Sequence, residues 1–157
     1  MRLEYFQMVD RVTALDTATG TVRVESVLPE TSPIFEGHFP GYPIMPGVLM
    51  IETMAQTGGW LVMALLKFER MAFLASVKEA KMRSFLVPGQ AMVVEANLVH
   101  EGSGYSIVDA RILADGKRIA DTTITYRVMP FPNATLRDEM LRAAQRVSIP
   151  TELLPHG

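Results

Sequence analysis

The chain has 157 residues, of which 48% are apolar and 20% charged, and its formal net charge is -2. This length suits one domain with a substantial hydrophobic core, and it is too short for two ordinary domains. No run of lysine and arginine interleaved with aromatic residues occurs, so the sequence does not favour nucleic-acid binding. The chain has no cysteine, which excludes disulfides, a thiol nucleophile and thiolate metal sites and fits a cytoplasmic location.

The first residues, MRLEYFQMVDR, carry charges throughout and lack the apolar stretch of a secretory signal. The longest apolar run, residues 44–66, is long enough to raise the question of a membrane span. Glu52 and Gln56 lie near its middle, and Gly58 and Gly59 follow them. These residues favour a buried helix of a folded protein, and we expect no membrane span.

Strand-like segments occupy most of the chain outside this run. In the segment 21–28, Val22 and Val24 share one face while Arg23 and Glu25 share the other, as in a half-buried strand. In chain order, the pattern predicts two strands, one long helix and four strands, at residues 8–15, 21–28, 48–66, 70–81, 92–99, 105–113 and 119–128. This order predicts the α+β class, with an antiparallel six-stranded sheet wrapped around one long central helix.

The composition changes near the C-terminal end of the chain. Residues 133–147 carry apolar side chains near one side of a helix, and Thr135 and Asp138 have a spacing similar to that of a capping box. We interpret this segment as a short amphipathic helix that covers an exposed edge or packs on a neighbouring subunit. The chain is thus divided into a main domain, residues 1–129, and a C-terminal extension, residues 130–157.

The stretch GHFPGYPIMPGVLMIETMAQ, residues 37–56, holds the residues best suited to chemistry. Pro46 suits the first position of a helix, and Gly47 follows it with a free N–H and no side chain. Because a helix N-terminus carries partial positive charge, it stabilises a carbonyl oxygen on which negative charge develops. His38 can act as a neutral base, and Glu52, among apolar neighbours, can hold a proton.

Each of these residues also has a purely structural interpretation. A histidine in a loop rich in glycine and proline is commonly a hydrogen-bonding residue, and a glutamate in an apolar helix is often paired. From spacing alone, both interpretations stay open for His38 and Glu52. The other histidines, His100 and His156, are scattered and do not have metal-ligand spacing, so the sequence predicts no metal site.

The same stretch closely resembles the signature of the (3R)-hydroxyacyl-acyl carrier protein dehydratases of type II fatty acid synthesis, above all their FabZ branch. A second segment, FLASVKEAKMRSFLVPGQ at residues 73–90, resembles this family's strand and loop that end in Pro-Gly. The resemblance covers about residues 5–129 and implies a hot-dog fold. It also implies a homodimer whose active sites are shared between subunits, and FabZ-like dimers often assemble further as trimers of dimers.

The resemblance implies that His38 is the catalytic histidine, that Glu52 is the catalytic acid and that the Gly47 N–H binds the thioester oxygen. The implied activity is dehydration of a (3R)-3-hydroxyacyl-acyl carrier protein to the trans-2-enoyl product. It implies no cofactor, since the substrate arrives on the phosphopantetheine arm of the acyl carrier protein. The residues expected to line the acyl tunnel or to dock this acidic carrier are Val48, Lys78, Lys81 and Arg83. The three basic residues are equally well interpreted as solvated strand residues.

Departures from the family pattern concern substrate length and pathway. FabA-type enzymes, which also isomerise the product, typically carry aspartate where this chain has Glu52, so the FabZ type is favoured. Met82 replaces a common aromatic residue and Gln90 a frequent acidic one. The sequence therefore predicts neither the acyl length nor the pathway, which is primary fatty acid synthesis or a related lipid or polyketide route. Two alternatives stay open: a hot-dog acyl thioesterase, and a non-catalytic acyl-binding or scaffold subunit.

Overall fold

The elements of the computed structural model, which describes residues 1–156, follow the predicted order of two strands, a long helix and four strands. The strands are β1 (Arg11–Asp16), β2 (Thr21–Val27), β3 (Arg70–Met82), β4 (Ala91–Gly102), β5 (Tyr105–Ala114) and β6 (Lys117–Pro130). The helices are α1 (Pro33–Gly37), α2 (Gly47–Leu65) and α3 (Ala134–Arg146), with short 3-10 helices at Leu3–Tyr5 and Thr151–Leu153. The sequence patterns predict all of these elements except α1 and the two 3-10 helices.

All six strands form one antiparallel sheet in the order β1-β2-β4-β5-β6-β3. Alternation decides which side chains face the core: Val22 and Val24 of β2 are buried, whereas Arg23 is exposed and Glu25 half-buried. Helix α2 packs against β2, β3, β4, β5 and β6. The α+β class and the antiparallel six-stranded sheet around one central helix are therefore confirmed.

Helix α2 is buried on most of its sides, and 13 of its 19 residues are buried. Two hydroxyl groups in this apolar setting are satisfied within the helix: Thr53 Oγ1 donates to the Leu49 carbonyl at 2.7 Å and Thr57 Oγ1 to the Thr53 carbonyl at 2.9 Å. By length and composition, α2 is the one helix among residues 1–156 that would reach across a membrane. The fold buries 72% of its most apolar window, as expected for a core helix.

The middle of α2 approaches the sheet closely at Gly58. A Cβ atom at this position would lie 2.5 Å from Tyr126 Oη and 2.7 Å from Val108 Cγ2, so only glycine leaves room for the buried tyrosine. The Tyr126 hydroxyl donates to the Ala55 carbonyl at 2.6 Å. Burial raises the pKa of Tyr126, and the negative charge of Glu52 raises it further. The tyrosine therefore stays neutral and serves as a hydrogen-bond donor in the core.

The C-terminal segment folds back onto the same core. Ala144, Val147 and Ile149 are buried in it, and the Val12 N–H of β1 donates to the Val147 carbonyl at 2.7 Å. The predicted amphipathic helix is present as α3. Its predicted capping residues are wrong, because Asn133 is the N-cap and its Oδ1 accepts the Leu136 N–H at 2.8 Å. The division of the chain at residue 129 stays a prediction.

Candidate active site

The loop that carries His38 is closed by hydrogen bonds to its own far end. The Ile44 N–H donates to the His38 carbonyl at 3.1 Å, and His38 Nδ1 lies 3.1 Å from the Ile44 carbonyl oxygen. A carbonyl oxygen only accepts, so Nδ1 must carry the hydrogen. In the neutral imidazole this leaves the lone pair on Nε2, which is the nitrogen free to accept a proton.

A tight turn inside this loop supports the imidazole ring. Phe39 and Tyr42 exchange two backbone hydrogen bonds of 2.9 and 2.8 Å, with Pro40 and Gly41 between them. Gly41 has a φ of +74°, which fits the position of a type II turn that favours glycine. The His38 ring stacks on Phe39 with 4.0 Å between the ring centroids. The prolines and glycines of the loop thus hold the ring in one place.

Helix α2 begins directly after this loop. The predicted position of Pro46 is wrong by one residue: with ψ of 136° it is the N-cap, and Gly47 is the first helical residue. The Pro46 carbonyl accepts from the N–H groups of Leu49 and Met50. Within residues 1–156, the N–H of Gly47 has no hydrogen-bond acceptor. It therefore remains available to an incoming oxygen atom.

Glu52 lies on the second turn of α2 and is oriented by Gln56, one turn further on. Gln56 Nε2 donates to Glu52 Oε1 at 3.0 Å and to the Phe6 carbonyl at 2.6 Å. Gln56 Oε1 accepts the Met8 N–H at 3.2 Å, so three partners fix the orientation of the amide. Among the described residues, Glu52 Oε2 has no hydrogen-bond partner, which leaves this oxygen for a substrate.

Glu52 opens into a cleft of about 350 Å³ that runs between α2, β3 and α3. Apolar residues of α2, among them Ala55, Trp60 and Met63, form its base. His38 is not among the residues that line this cleft, so within one chain the two predicted catalytic residues do not share it. Val48, predicted as a tunnel residue, is 72% exposed and also lies outside the cleft.

The three basic residues predicted to dock a carrier protein lie at and just beyond the far end of β3. Lys78 and Lys81 are exposed and line a polar cleft of about 210 Å³, separate from the cleft at Glu52. The Arg83 guanidinium bonds to Asp121 Oδ2 at 2.9 and 3.0 Å. The lysines therefore keep free ammonium groups at the surface, whereas Arg83 is engaged in an exposed ion pair.

Neither of the remaining histidines lines the cleft at Glu52. His100 stacks on Tyr105 with 4.7 Å between the ring centroids, and His156 lies close to the end of the chain. The part of the chain that the structure describes contains no group of three histidine, aspartate or glutamate side chains placed to hold a metal ion.

A family model described as the FabA-like domain matches residues 2–123. The chain belongs to the FabA-like family. A 3-hydroxyacyl-acyl-carrier-protein dehydratase FabZ of Streptococcus pneumoniae is 36% identical over 124 residues, which cover 77% of this chain and 86% of the relative. A protein of the same name from Pelotomaculum thermopropionicum is 43% identical over 94 residues, which cover 59% of this chain and 66% of the relative. The predicted FabZ-like resemblance is confirmed.

Solved structures share the fold at much lower identity. A hypothetical thioesterase with coenzyme A from Streptococcus pneumoniae has a TM-score of 0.62 and 14% identity, covering 78% of this chain and 88% of that chain. A mutant thioesterase from Staphylococcus aureus has a TM-score of 0.64 and 15% identity, covering 82% and 98%. At these identities the likeness concerns the fold alone, and the expected hot-dog fold is confirmed.

Gln56 and three residues of α3, Met140, Ala143 and Arg146, belong to the site but are not predicted from the sequence. For Gln56 a signal exists, because a residue four positions after Glu52 lies on the same helix face and reaches its carboxyl group. For α3 no local pattern gives the signal, since its place beside α2 depends on how the whole C-terminal segment folds back.

Proposed function

We propose that this chain dehydrates (3R)-3-hydroxyacyl-acyl carrier protein to trans-2-enoyl-acyl carrier protein in type II fatty acid synthesis or a related lipid or polyketide pathway. The observation that carries the proposal is the arrangement of the stretch 37–56 in a FabA-like chain. It presents His38 with a free Nε2, then an unpaired N–H at Gly47, then a carboxyl oxygen of Glu52 with no partner among the described residues.

Each of these three groups has one role in an elimination of water. His38 Nε2 takes the C2 proton, and the electron pair of the broken C–H bond forms the C2=C3 double bond as the C3–O bond breaks. The Gly47 N–H, at the positive end of α2, stabilises the negative charge that develops on the thioester oxygen. Glu52, protonated at the start, gives its proton to the departing hydroxyl group, which leaves as water. The protonated imidazole and the carboxylate then exchange protons with solvent.

The proposed site combines His38 of one subunit with Glu52 of the other. His38 lies outside the cleft that Glu52 opens into, which supports a site completed by a second copy. The sheet edge at β3 supports the same arrangement, because within residues 1–156 β3 pairs only with β6. Large apolar side chains on and near this edge are exposed: Val48, Leu74, Val77, Met82 and Phe85. A homodimer joined along β3 would cover them. Assembly as a trimer of dimers stays a prediction.

The substrate is proposed to arrive on the phosphopantetheine arm of an acyl carrier protein, and the reaction requires no further cofactor. The free ammonium groups of Lys78 and Lys81 support docking of this acidic partner, while Arg83 contributes less because Asp121 neutralises it. A cytoplasmic location belongs to the same proposal, since the one helix within residues 1–156 that is long and apolar enough to span a membrane is mostly buried in the core.

Hydration of a crotonyl thioester, the reverse reaction, tests the assignment through the loss of ultraviolet absorbance of the conjugated double bond. We expect His38→Ala and Glu52→Gln each to lower the rate by about 10²–10⁴-fold while the protein stays folded. Glu36→Gln, an exposed carboxylate of α1, and His156→Ala are the matched controls and should keep the wild-type rate. Undiminished hydration in either catalytic variant would contradict the roles given to these residues.

The same preparation separates the two alternatives. A thioesterase releases a free thiol, which a thiol-trapping dye detects, whereas the dehydratase leaves the thioester bond intact. A wild-type protein that neither hydrates the thioester nor releases thiol would fit the non-catalytic subunit.

A further inference from the structure

The cleft at Glu52 continues along α2 as an apolar groove. Six residues of α2 line it, and four of them, Glu52, Ala55, Gly59 and Met63, follow one another at intervals of three or four positions and form one stripe of the helix. Glu52 and Met63 are eleven positions apart, which corresponds to about 16 Å along the helix axis. A carboxyl group thus stands at one end of a long stripe that is otherwise apolar.

Helix α3 forms a side of this groove. Met140, Ala143 and Arg146 line it at intervals of three residues, so one face of α3 follows the groove for about 9 Å. A contact of this length makes α3 a wall along the side of the groove. A single side chain could only close one end of the groove.

The wall is held firmly in place and is additional to the part of the chain that matches the family model. Ala144 and Val147 are buried, and the Val147 carbonyl accepts the Val12 N–H. The family model ends at residue 123, before α3 begins. The groove is therefore built partly by the matched domain and partly by the C-terminal extension.

We infer that α3 is a wall of the acyl-binding groove and that Met140 and Ala143 determine which acyl lengths the protein accepts. The inference rests on the proposed function, because it takes Glu52 as the point where the acyl chain enters. Each methylene group that moves from water into an apolar groove favours binding about fourfold. Acyl chains long enough to reach Met140 and Ala143 gain this stabilisation from α3, and shorter chains do not.

The test is a substitution that fills the groove from the side of α3. Ala143→Trp places a large ring where a half-buried methyl group now lines the groove, whereas Gln145→Trp places the same ring at an exposed position of the same helix. The values of kcat/KM are measured for 3-hydroxybutyryl and 3-hydroxydodecanoyl thioesters of acyl carrier protein, with the melting temperature as a check of folding.

We expect Ala143→Trp to lower kcat/KM for the dodecanoyl substrate by about 10-fold or more and to leave the butyryl substrate within about twofold. Gln145→Trp should change neither value. Met140→Ala, which removes contacts without adding volume, should lower the dodecanoyl value by about 3- to 10-fold. It provides the same test if the tryptophan variant does not fold.

Two results overturn the inference alone: equal loss for both substrates in the folded Ala143→Trp and Met140→Ala variants, or no change for either substrate. Both would mean that α3 covers the core without contacting the acyl chain. A wild-type protein that dehydrates neither substrate contradicts the proposed function, and the inference falls with it.

Discussion

His38 and Glu52 are held by two different kinds of support. The hydrogen bonds at His38 and in the turn beside it join residues no more than six positions apart. One long-range bond, from the Met45 N–H to the Leu86 carbonyl at 2.9 Å, ties the far end of the same loop to the rest of the fold. Glu52 depends on Gln56, and Gln56 in turn bonds to Phe6 and Met8, about fifty residues earlier in the chain. The His38 imidazole is thus oriented by bonds within its own short segment, whereas the Glu52 carboxyl group is oriented by contacts between distant segments.

The same two regions also face different surroundings. The His38 loop carries the exposed aromatic side chains of Phe39 and Tyr42 at the surface. Glu52, in contrast, opens into an apolar groove. In the proposed homodimer, each region supplies one half of a shared reaction centre.

Mixing two inactive variants gives the largest expected change. In a dimer of one His38→Ala chain and one Glu52→Gln chain, one of the two shared sites keeps both an intact histidine and an intact glutamate. Random assembly makes half of the dimers mixed, so coexpressed chains should recover about a quarter of the wild-type activity. Hydration of a crotonyl thioester measures the recovery.

Each variant expressed alone supplies the baseline for this experiment. If the mixture were no more active than these two proteins, although mass spectrometry showed that mixed dimers had formed, each site would belong to a single chain.

Removing the Gln56 side chain, which orients Glu52, should have the next largest effect. Gln56→Ala deletes three hydrogen bonds and leaves the Phe6 carbonyl and the Met8 N–H without their partners. We expect the free energy of unfolding to fall by about 1–3 kcal/mol and kcat by up to about 10²-fold, because Glu52 loses its orientation. Denaturant unfolding and steady-state kinetics measure the two effects.

The hydrogen bonds of the His38 loop should be unaffected by Gln56→Ala. The rate at which diethyl pyrocarbonate modifies His38 should match that of the wild-type protein, with His38→Ala as the reference for the other histidines. An altered rate would show that the two supports are coupled.

A pair of glycines on α2 gives a smaller effect, which is measured on stability. Gly58→Ala forces a methyl group against Tyr126 and Val108, an overpacking cost of about 1–3 kcal/mol that exceeds the gain in helix propensity of about 1 kcal/mol. We expect a net loss of up to about 2 kcal/mol in denaturant unfolding.

Gly59→Ala is the matched control, because its nearest new contact is Tyr126 Cε1 at 3.8 Å. Its free energy of unfolding should equal or exceed that of the wild type. Equal losses at both positions would mean that helix flexibility, and not the close approach to the sheet, accounts for the glycines.

The smallest effect concerns the Tyr126 hydroxyl at neutral pH. Tyr126→Phe removes one buried hydrogen bond and should cost about 1 kcal/mol. Burial raises the pKa of Tyr126 in the folded protein, so above about pH 10 the unfolded chain loses the tyrosine proton while the folded chain keeps it. The stability that Tyr126 contributes is therefore present below this pH and is lost as the pH rises further.

Unfolding curves between pH 8 and 11 should show this loss in the wild type and a weaker one in Tyr126→Phe. Identical slopes for the two proteins would rule out Tyr126 as the source of the alkaline destabilisation.

The sequence predicts the parts of this molecule that follow from local periodicity. Alternation along β2 and the apolar composition of α2 are enough to predict the sheet and the central helix, and the Pro46-Gly47 pair predicts the helix start to within one residue. Asn133, two residues before Thr135, takes the cap of α3 because its side chain reaches the Leu136 N–H, and spacing alone did not distinguish the two.

What the sequence does not predict depends on contacts between distant residues. The bonds of Gln56 to Phe6 and Met8, and the placement of Met140 and Ala143 along the groove, arise only when separate segments meet in the folded chain. For the site, the sequence of the stretch 37–56 is enough to predict which residue types take part and in what order. The surface that each residue faces is set by tertiary packing.

The hydrogen bond between Val12 and Val147 has a consequence for how the protein assembles. At the β1 edge the C-terminal segment occupies a backbone donor that would otherwise be open to a strand from another molecule. The β3 edge, in the described part of the chain, has no such cover. A sheet with a single open edge joins one neighbour edge to edge and then stops, whereas a sheet with two open edges can add subunits without limit.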